Sequence, residues 1–388
     1  MCTNSRYRYK IHDKFYDLTE FVKIHPGGTD MFNHLEENTN ITPMIYSYHK
    51  NPKAILDTLP KYEIPFPDGI IINYDTDYSY DKYCELKKLV YDEIHKKKIP
   101  LFWSNTEILY NAILLLVYLS TWTYCFINAD DLSYLWMVLL SIEFVGICLL
   151  IGHETGHYTG CKNQKYNNIL SKILIIPAFD SNDWIFYHNY AHHCFTNTRF
   201  DRDFAGSTNL FRFSSNNELY FNHKFQHIYA YILYVINGYY QVSINNIKKN
   251  KLISNIATVI LIYNFGWLKM LLFFGLSSFL YIIIATISHL NNESIQLNVD
   301  KKNDYLYNQV SSSINYKTDD IISRFISFGL DIQIEHHIFP NIPHSSLRKI
   351  QNIVYNYCNK NNIPYIEKPN VFSAIYAHLA YLYKMSKK

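Results

Sequence analysis

The chain has 388 residues, enough for one small and one larger unit. Its 36 Lys/Arg against 33 Asp/Glu leave a formal charge of +3 with no basic tail, which argues against a nucleic-acid partner. The 7 cysteines stand singly with no CxxC pair, which suits a reducing compartment and argues against a disulfide framework; Cys194 reads as a packing residue.

The opening stretch MCTNSRYRYK lacks an apolar core, so no signal peptide is expected and the start is expected to stay cytosolic. In the run FYDLTEFVKIHPGGTDMF, His25 stands directly before Pro26, Gly27 and Gly28. The missing Cβ atoms of such a turn let the backbone come close to a flat ligand. HPGG alone would read as a surface turn, but His49 follows in YSYHKNPKAILDTLPKYEI. With both histidines, residues 1–66 resemble cytochrome b5. The resemblance implies a small α+β domain in which His25 and His49 clamp the iron of haem b from opposite faces. A haem with both axial sites filled passes electrons and offers oxygen no place to bind. His12 and His34 read as surface histidines.

Residues 67–106 read as a linker followed by a helix. From Asp81 to Lys98, apolar and charged residues alternate with helical spacing and end in HKKK. That pattern predicts either a helix lying on lipid headgroups or a solvated connector.

Residues 107–388 hold four apolar segments close to the ~20 residues a spanning helix needs: Ile108–Ile127, Leu132–Ile151, Leu252–Leu268 and Met270–His289. The short connections carry at most one lysine, whereas HKKK and Lys248–Lys251 before the first and third segments are basic. The bias predicts two hairpins with both termini on the cytosolic side. Glu143, inside the second segment, is expected to be a protonated carboxyl bonded to a neighbouring helix.

Eight histidines lie at the edges of these segments: His153/His157, His188/His192/His193, His289 and His336/His337. Helical i, i+4 spacing aims His153 with His157, and His188 with His192, while His193 lies about 100° round from His192. Eight imidazoles are too many for one ion of four to six sites, so two ions, naturally two irons, are expected at one membrane surface.

The clusters GHETGHY, HNYAHH and QIEHHIFP resemble the three histidine boxes of membrane fatty-acid desaturases. The stretches YLYNQVSSSINY, FGLDIQIEHHIFPNIPHSSLRKI and IPY extend the likeness, in the order typical of the front-end subgroup, over most of residues 145–365. Glu154 departs from the family's usual Asp but keeps the carboxylate. The resemblance implies a mainly α protein: a four-helix transmembrane desaturase domain with a cytosolic helical cap, preceded by the cytochrome b5-like domain. It also implies two non-haem iron ions held by the eight histidines, with His289 as the extra ligand after the last membrane helix. The family's Asn one turn earlier is Ala285 here. Gln333 replaces the histidine of simple desaturases and shares a helix face with His336 and His337, so its amide can reach an iron. His223, His227, His344 and His378 have no partner spacing.

The implied activity is O2-dependent front-end desaturation of a lipid acyl chain, carried as acyl-CoA or phospholipid, in the bilayer of the endoplasmic reticulum. Electrons would come from NADH-cytochrome b5 reductase through the fused domain, whose tether raises its effective concentration. A sphingolipid long-chain-base desaturase, a lipid hydroxylase and a non-enzymatic membrane haem protein remain the alternatives.

Overall fold

A computed structural model of the chain describes residues 7–29, 31–175, 184–203, 209–245, 252–294, 303–316 and 319–387. The basic run Lys248–Lys251 and the first six residues of the opening stretch lie outside them.

Alternation of large apolar and polar residues starts the chain as a hairpin of β1 (Arg8–Ile11) and β2 (Lys14–Asp17), with Tyr9, Ile11 and Phe15 buried. The turn passes through His12 at a φ of 51°. Strand β3 (Thr39–Asn40) adds parallel to β1, and β4 (Glu63–Ile64) antiparallel to β2, giving the order β3-β1-β2-β4. Helix α1 (Thr42–Tyr48) starts with Pro43 in its first turn, where a missing N–H is harmless, and leads into His49.

Helix α2 (Asp81–Lys97) buries Tyr83, Leu86, Val90 and Ile94, a stripe at i, i+3/i+4 spacing. That stripe joins the sheet's apolar face and Leu347, Ile350 and Val354 of α10 (His344–Lys360) in one core. It therefore neither rests bare on headgroups nor stands solvated, because protein covers it on both sides. Periodicity shows that a helix has an apolar face but not what will cover it.

Among the described residues, three helices are long and apolar enough to cross a membrane: α3 (Asn105–Ile127), α4 (Tyr134–Gly156) and α8 (Trp267–Ile287). A Ser104–Glu107 capping box opens α3, Ser104 N donating to Glu107 Oε2 at 2.8 Å. The third expected segment is α7 (Leu252–Phe265), whose 14 residues fall short of a full crossing. Gly266, at a φ of 78°, turns it straight into α8. Thr121 on α3 donates to Glu143 Oε1 on α4 at 3.1 Å, the inter-helix bond expected of that carboxyl.

The sequence pattern gave no expectation of α6 (Gln226–Tyr239), which packs along α8, with Ser278 Oγ donating to Tyr234 O at 2.7 Å. Its Ile228, Ile232 and Ile236 are bare at i+4 spacing. After α8 the chain forms α9 (Gln333–Ile338), α10 and α11 (Val371–Met385). Asp331, fully buried just before α9, accepts from Arg348 of α10 at 2.8 Å in a two-pronged pair.

Arg348→Met strands that buried carboxylate, so it should cost about 3–5 kcal/mol of stability. The readout is the thermal unfolding midpoint in detergent; an unchanged midpoint would contradict the structural role given to this pair.

Candidate metal centres

The HPGG turn depends on both of its glycines. Gly28 adopts a φ of 86°, and a Cβ on Gly27 would come within 2.8 Å of the His25 ring. His25 Nδ1 bonds Gly28 O at 2.9 Å, and His49 Nδ1 bonds Ile45 O at 3.1 Å. A carbonyl only accepts, so both Nδ1 atoms carry the proton and both Nε2 atoms are left bare. Burial pushes the His49 pKa down to about 4, which keeps the ring neutral. The two rings stand 6.1 Å apart between centroids, which leaves room for one ion at about 2.0–2.1 Å from each nitrogen.

They border a mostly apolar cavity of about 660 Å³, also lined by Phe21, Pro26 and Ile45. That volume is within the ~300–1,000 Å³ of cofactor sites. Donors, tautomers and space fit a haem. The far side of the same cavity is formed by Tyr48 and His157. Above His49, the buried Lys87 ammonium donates to His49 O at 2.8 Å and to Tyr46 O. Burial without an acidic partner pulls its pKa down to about 7.

The second centre is assembled from four separate stretches. Box one ends α4 in a wide i→i+5 turn over Cys148–His153, and box two forms a similar wide helix, α5 (Ile185–His192). Such turns hold fewer residues on each face than an α-helix and recur at functional sites. Two groups of histidines result: His153, His157, His188 and His336, and His192, His289 and His337. Within each group the ligand nitrogens lie within 4.8 Å of one another.

The i, i+4 neighbours His188 and His192 keep their rings stacked at 5.2 Å, and the wide turn also brings His188 Nε2 to 3.2 Å from His193 Nε2. His193 sits between the groups, its ring centroid 4.5 Å from that of His157 and 4.3 Å from that of His337. Gly156 allows this crowding, since a Cβ there would overlap Trp184, which stacks on His188 at 4.4 Å.

Several Nε2 atoms point at each other. The pairs His153–His188 and His289–His337 are each 3.1 Å apart. Two ligands at about 2.1 Å from a shared ion, roughly at right angles, would be about 3 Å apart. Burial, reinforced by neighbouring imidazoles, holds His157, His188, His193, His289, His336 and His337 well below the usual imidazole range. All are thus neutral, the metal-binding form. His157 Nε2 and both ring nitrogens of His336 are buried without a hydrogen-bond partner among the described residues. An apolar core would not tolerate such orphans, and a cation would satisfy the lone-pair nitrogen of each ring.

Backbone-facing nitrogens are held from behind. His192 Nδ1 bonds Asp201 at 3.0 Å, His188 Nδ1 bonds Asp203 at 3.2 Å, His337 Nδ1 meets Thr196 Oγ1 at 3.1 Å, and His289 Nδ1 bonds Ser312 O at 3.2 Å. Gln333 lies one turn before His336 and His337, as expected, and its side chain hydrogen-bonds His289. Glu154 joins box one to two other elements, accepting from Trp103 Nε1 and, at 2.8 Å, from the His344 amide. Glu335 accepts from Asn315 at 2.8 Å and from Tyr365 at 2.7 Å, so SINY and IPY serve to hold box three.

Sequence reasoning missed Asp201, Asp203, Tyr48 and His344. The acids had a signal, since FDRDF follows box two within a dozen residues and carboxylates commonly orient ligand histidines. His344, with its ring centroid 5.1 Å from that of His336, had none; burial pushes its pKa down to about 3.

The fatty acid desaturase family model matches residues 132–369. The acyl-lipid (8-3)-desaturase B of Dictyostelium discoideum is 26% identical, over 97% of this chain and 90% of its own length. The Delta(5) fatty acid desaturase A of the same organism is also 26% identical, over 97% and 89%. The Delta(8)-fatty-acid desaturase of Borago officinalis is 24% identical, over 92% and 85%. No solved structure matches the chain. Since the matched region holds all eight box histidines and more than half of the 388 residues, the chain belongs to the fatty acid desaturase family.

Proposed function

We propose that the chain is a front-end acyl-lipid desaturase that places a cis double bond between an existing one and the carboxyl end. One observation carries the reading: seven imidazoles from four stretches of chain converge into two compact groups. Support for the subgroup comes from relatives named (8-3)-, Delta(5)- and Delta(8)-desaturases that align with 92–97% of the chain.

In this reading residues 1–66 are a cytochrome b5-like domain, residues 67–106 a linker and helix, and residues 107–388 the desaturase domain. His25 and His49 hold haem b, which relays electrons from NADH-cytochrome b5 reductase. His153, His157, His188 and His336 hold one non-haem iron, His192, His289 and His337 the other, and His193 lies within reach of both. Loaded with electrons and O2, such an iron pair supplies an oxidant strong enough for an unactivated C–H bond. The chain's own residues position it. Asp201, Asp203 and Thr196 fix which imidazole nitrogen faces inward, and Gln333 steadies His289. The substrate is an acyl chain on coenzyme A or phospholipid, entering from the endoplasmic reticulum bilayer. The chain crosses that bilayer with four segments and keeps both termini cytosolic.

Two sets of substitutions should separate the centres. His25→Ala or His49→Ala should abolish the haem absorption band and NADH-driven turnover while leaving roughly two non-haem irons per chain. Loss of that iron from a folded His25→Ala protein would count against separate sites. Conversely, His157→Ala, His192→Ala or His337→Ala should remove desaturation and spare the haem band. Near-normal product from any of them would remove that residue from the ligand set.

Regiochemistry is the sharpest check. Fed polyunsaturated acids should gain a cis double bond on the carboxyl side of those present, with little change in saturated stearoyl chains. Mass spectrometry of double-bond positions, against a His192→Ala control, reads the outcome. New bonds on the methyl side alone would overturn the front-end assignment, and bonds confined to sphingoid bases would make the chain a long-chain-base desaturase.

A further inference from the structure

Tyr48 precedes the haem-side His49 in sequence and reaches the opposite centre in space. Its hydroxyl lies 3.3 Å from His157 Nδ1 and 3.2 Å from the backbone oxygen of Asn189. A carbonyl oxygen only accepts, so the single hydroxyl proton goes to Asn189 O, and His157 Nδ1 must carry a proton and donate to the tyrosine oxygen. This relay leaves His157 Nε2 bare, and Nε2 is the atom buried without a hydrogen-bond partner beside His153 and His336.

The segment carrying Tyr48 is also held in place from the desaturase side. Asn341, which directly follows Pro340 at the end of box three, donates to Tyr48 O at 3.0 Å. Lys87 donates to His49 O at 2.8 Å, and Tyr190, inside box two, donates to Asn40 O at 2.8 Å. Tyr48 and His157 line one cavity together with His25 and His49.

We infer that Tyr48 is the positioning residue of the His157 ligand, so that the N-terminal unit forms part of the non-haem metal site and is docked there, not merely tethered. The inference rests on the diiron reading above, because it assigns Tyr48 a task only where His157 Nε2 binds an ion. Removing the hydroxyl leaves His157 free to take the other tautomer or to turn, and partners of ligand histidines typically contribute 10–100-fold in metal affinity.

The test uses the full-length, haem-loaded chain and the variants Tyr48→Phe and Tyr48→Leu. Iron retained during challenge with a chelator is measured beside the haem band, the thermal midpoint and the Mössbauer spectrum of the non-haem iron. Tyr48→Phe keeps the ring and its packing. It should lower non-haem iron affinity by roughly tenfold and change the Mössbauer spectrum, with haem band and midpoint unmoved, and Tyr48→Leu should retain iron no better. Iron retention and spectrum equal to the parent's in Tyr48→Phe would overturn the inference while leaving the diiron reading intact, and so would a loss confined to Tyr48→Leu, which would mark a packing role. A parent chain that holds no non-haem iron would overturn both.

Discussion

The structure depends on a dense cluster of neutral imidazoles kept out of water. Eight rings crowd together, and charge on His157, His188, His193, His289, His336 and His337 is opposed by burial and by neighbouring imidazoles, whereas the Asp201 carboxylate favours charge on His192. Rings that cannot be charged and cannot all hydrogen-bond one another need something else at their inner nitrogens. Each feature around them follows from this constraint: wide helical turns that gather the side chains, carboxylates and carbonyls that fix the outer nitrogens, and long apolar helices that hold the boxes at one end. Without a metal the arrangement leaves several buried acceptors unsatisfied, a burden that a core selected for stability alone would shed.

The outer ring of partners explains why motifs far apart in sequence belong to one site. Glu154 receives hydrogen bonds from Trp103 and from the start of α10, so box one cannot move relative to either. Asn315 and Tyr365 converge on Glu335, and Asn197 donates to the backbone oxygens of His289 and Ser312 at 3.0 and 3.1 Å. Carboxylates and amides that touch no ion thus decide where imidazoles stand, which is how a site on several helix ends becomes rigid.

What could be read from the sequence was what local chemistry encodes. The histidine spacing, the HPGG turn and the α3, α4 and α8 apolar runs each carry their signal within about twenty residues, and each was found where expected. Three readings needed tertiary information. The stripe of α2 looks the same whether lipid, water or another helix will cover it, and here protein does. Box two winds wider than 3.6 residues per turn, so His188 meets His193 as well as His192, and no residue in HNYAHH announces that change. α6 mixes Tyr and Asn into its apolar face, so its period is weak until α8 supplies the surface it packs on.

The N-terminal unit shows how far such tertiary context changes a functional argument. From sequence, a fused electron carrier is a tethered domain whose benefit is effective concentration, and its orientation is left to diffusion on a leash. Here its sheet shares a core with α2 and α10, and its Asn40, Tyr46, Tyr48 and His49 carbonyls accept from Tyr190, Lys87 and Asn341. Four backbone acceptors met by buried or half-buried donors are costly to separate, since each donor would lose its partner in a dry interface. A docked unit gives up the swinging motion that a tether permits, and gains a fixed path between His49 and His157. Under the proposed function the exchange is sensible, because an oxidation that draws two electrons per double bond from the N-terminal unit makes donor and acceptor meet on every turnover.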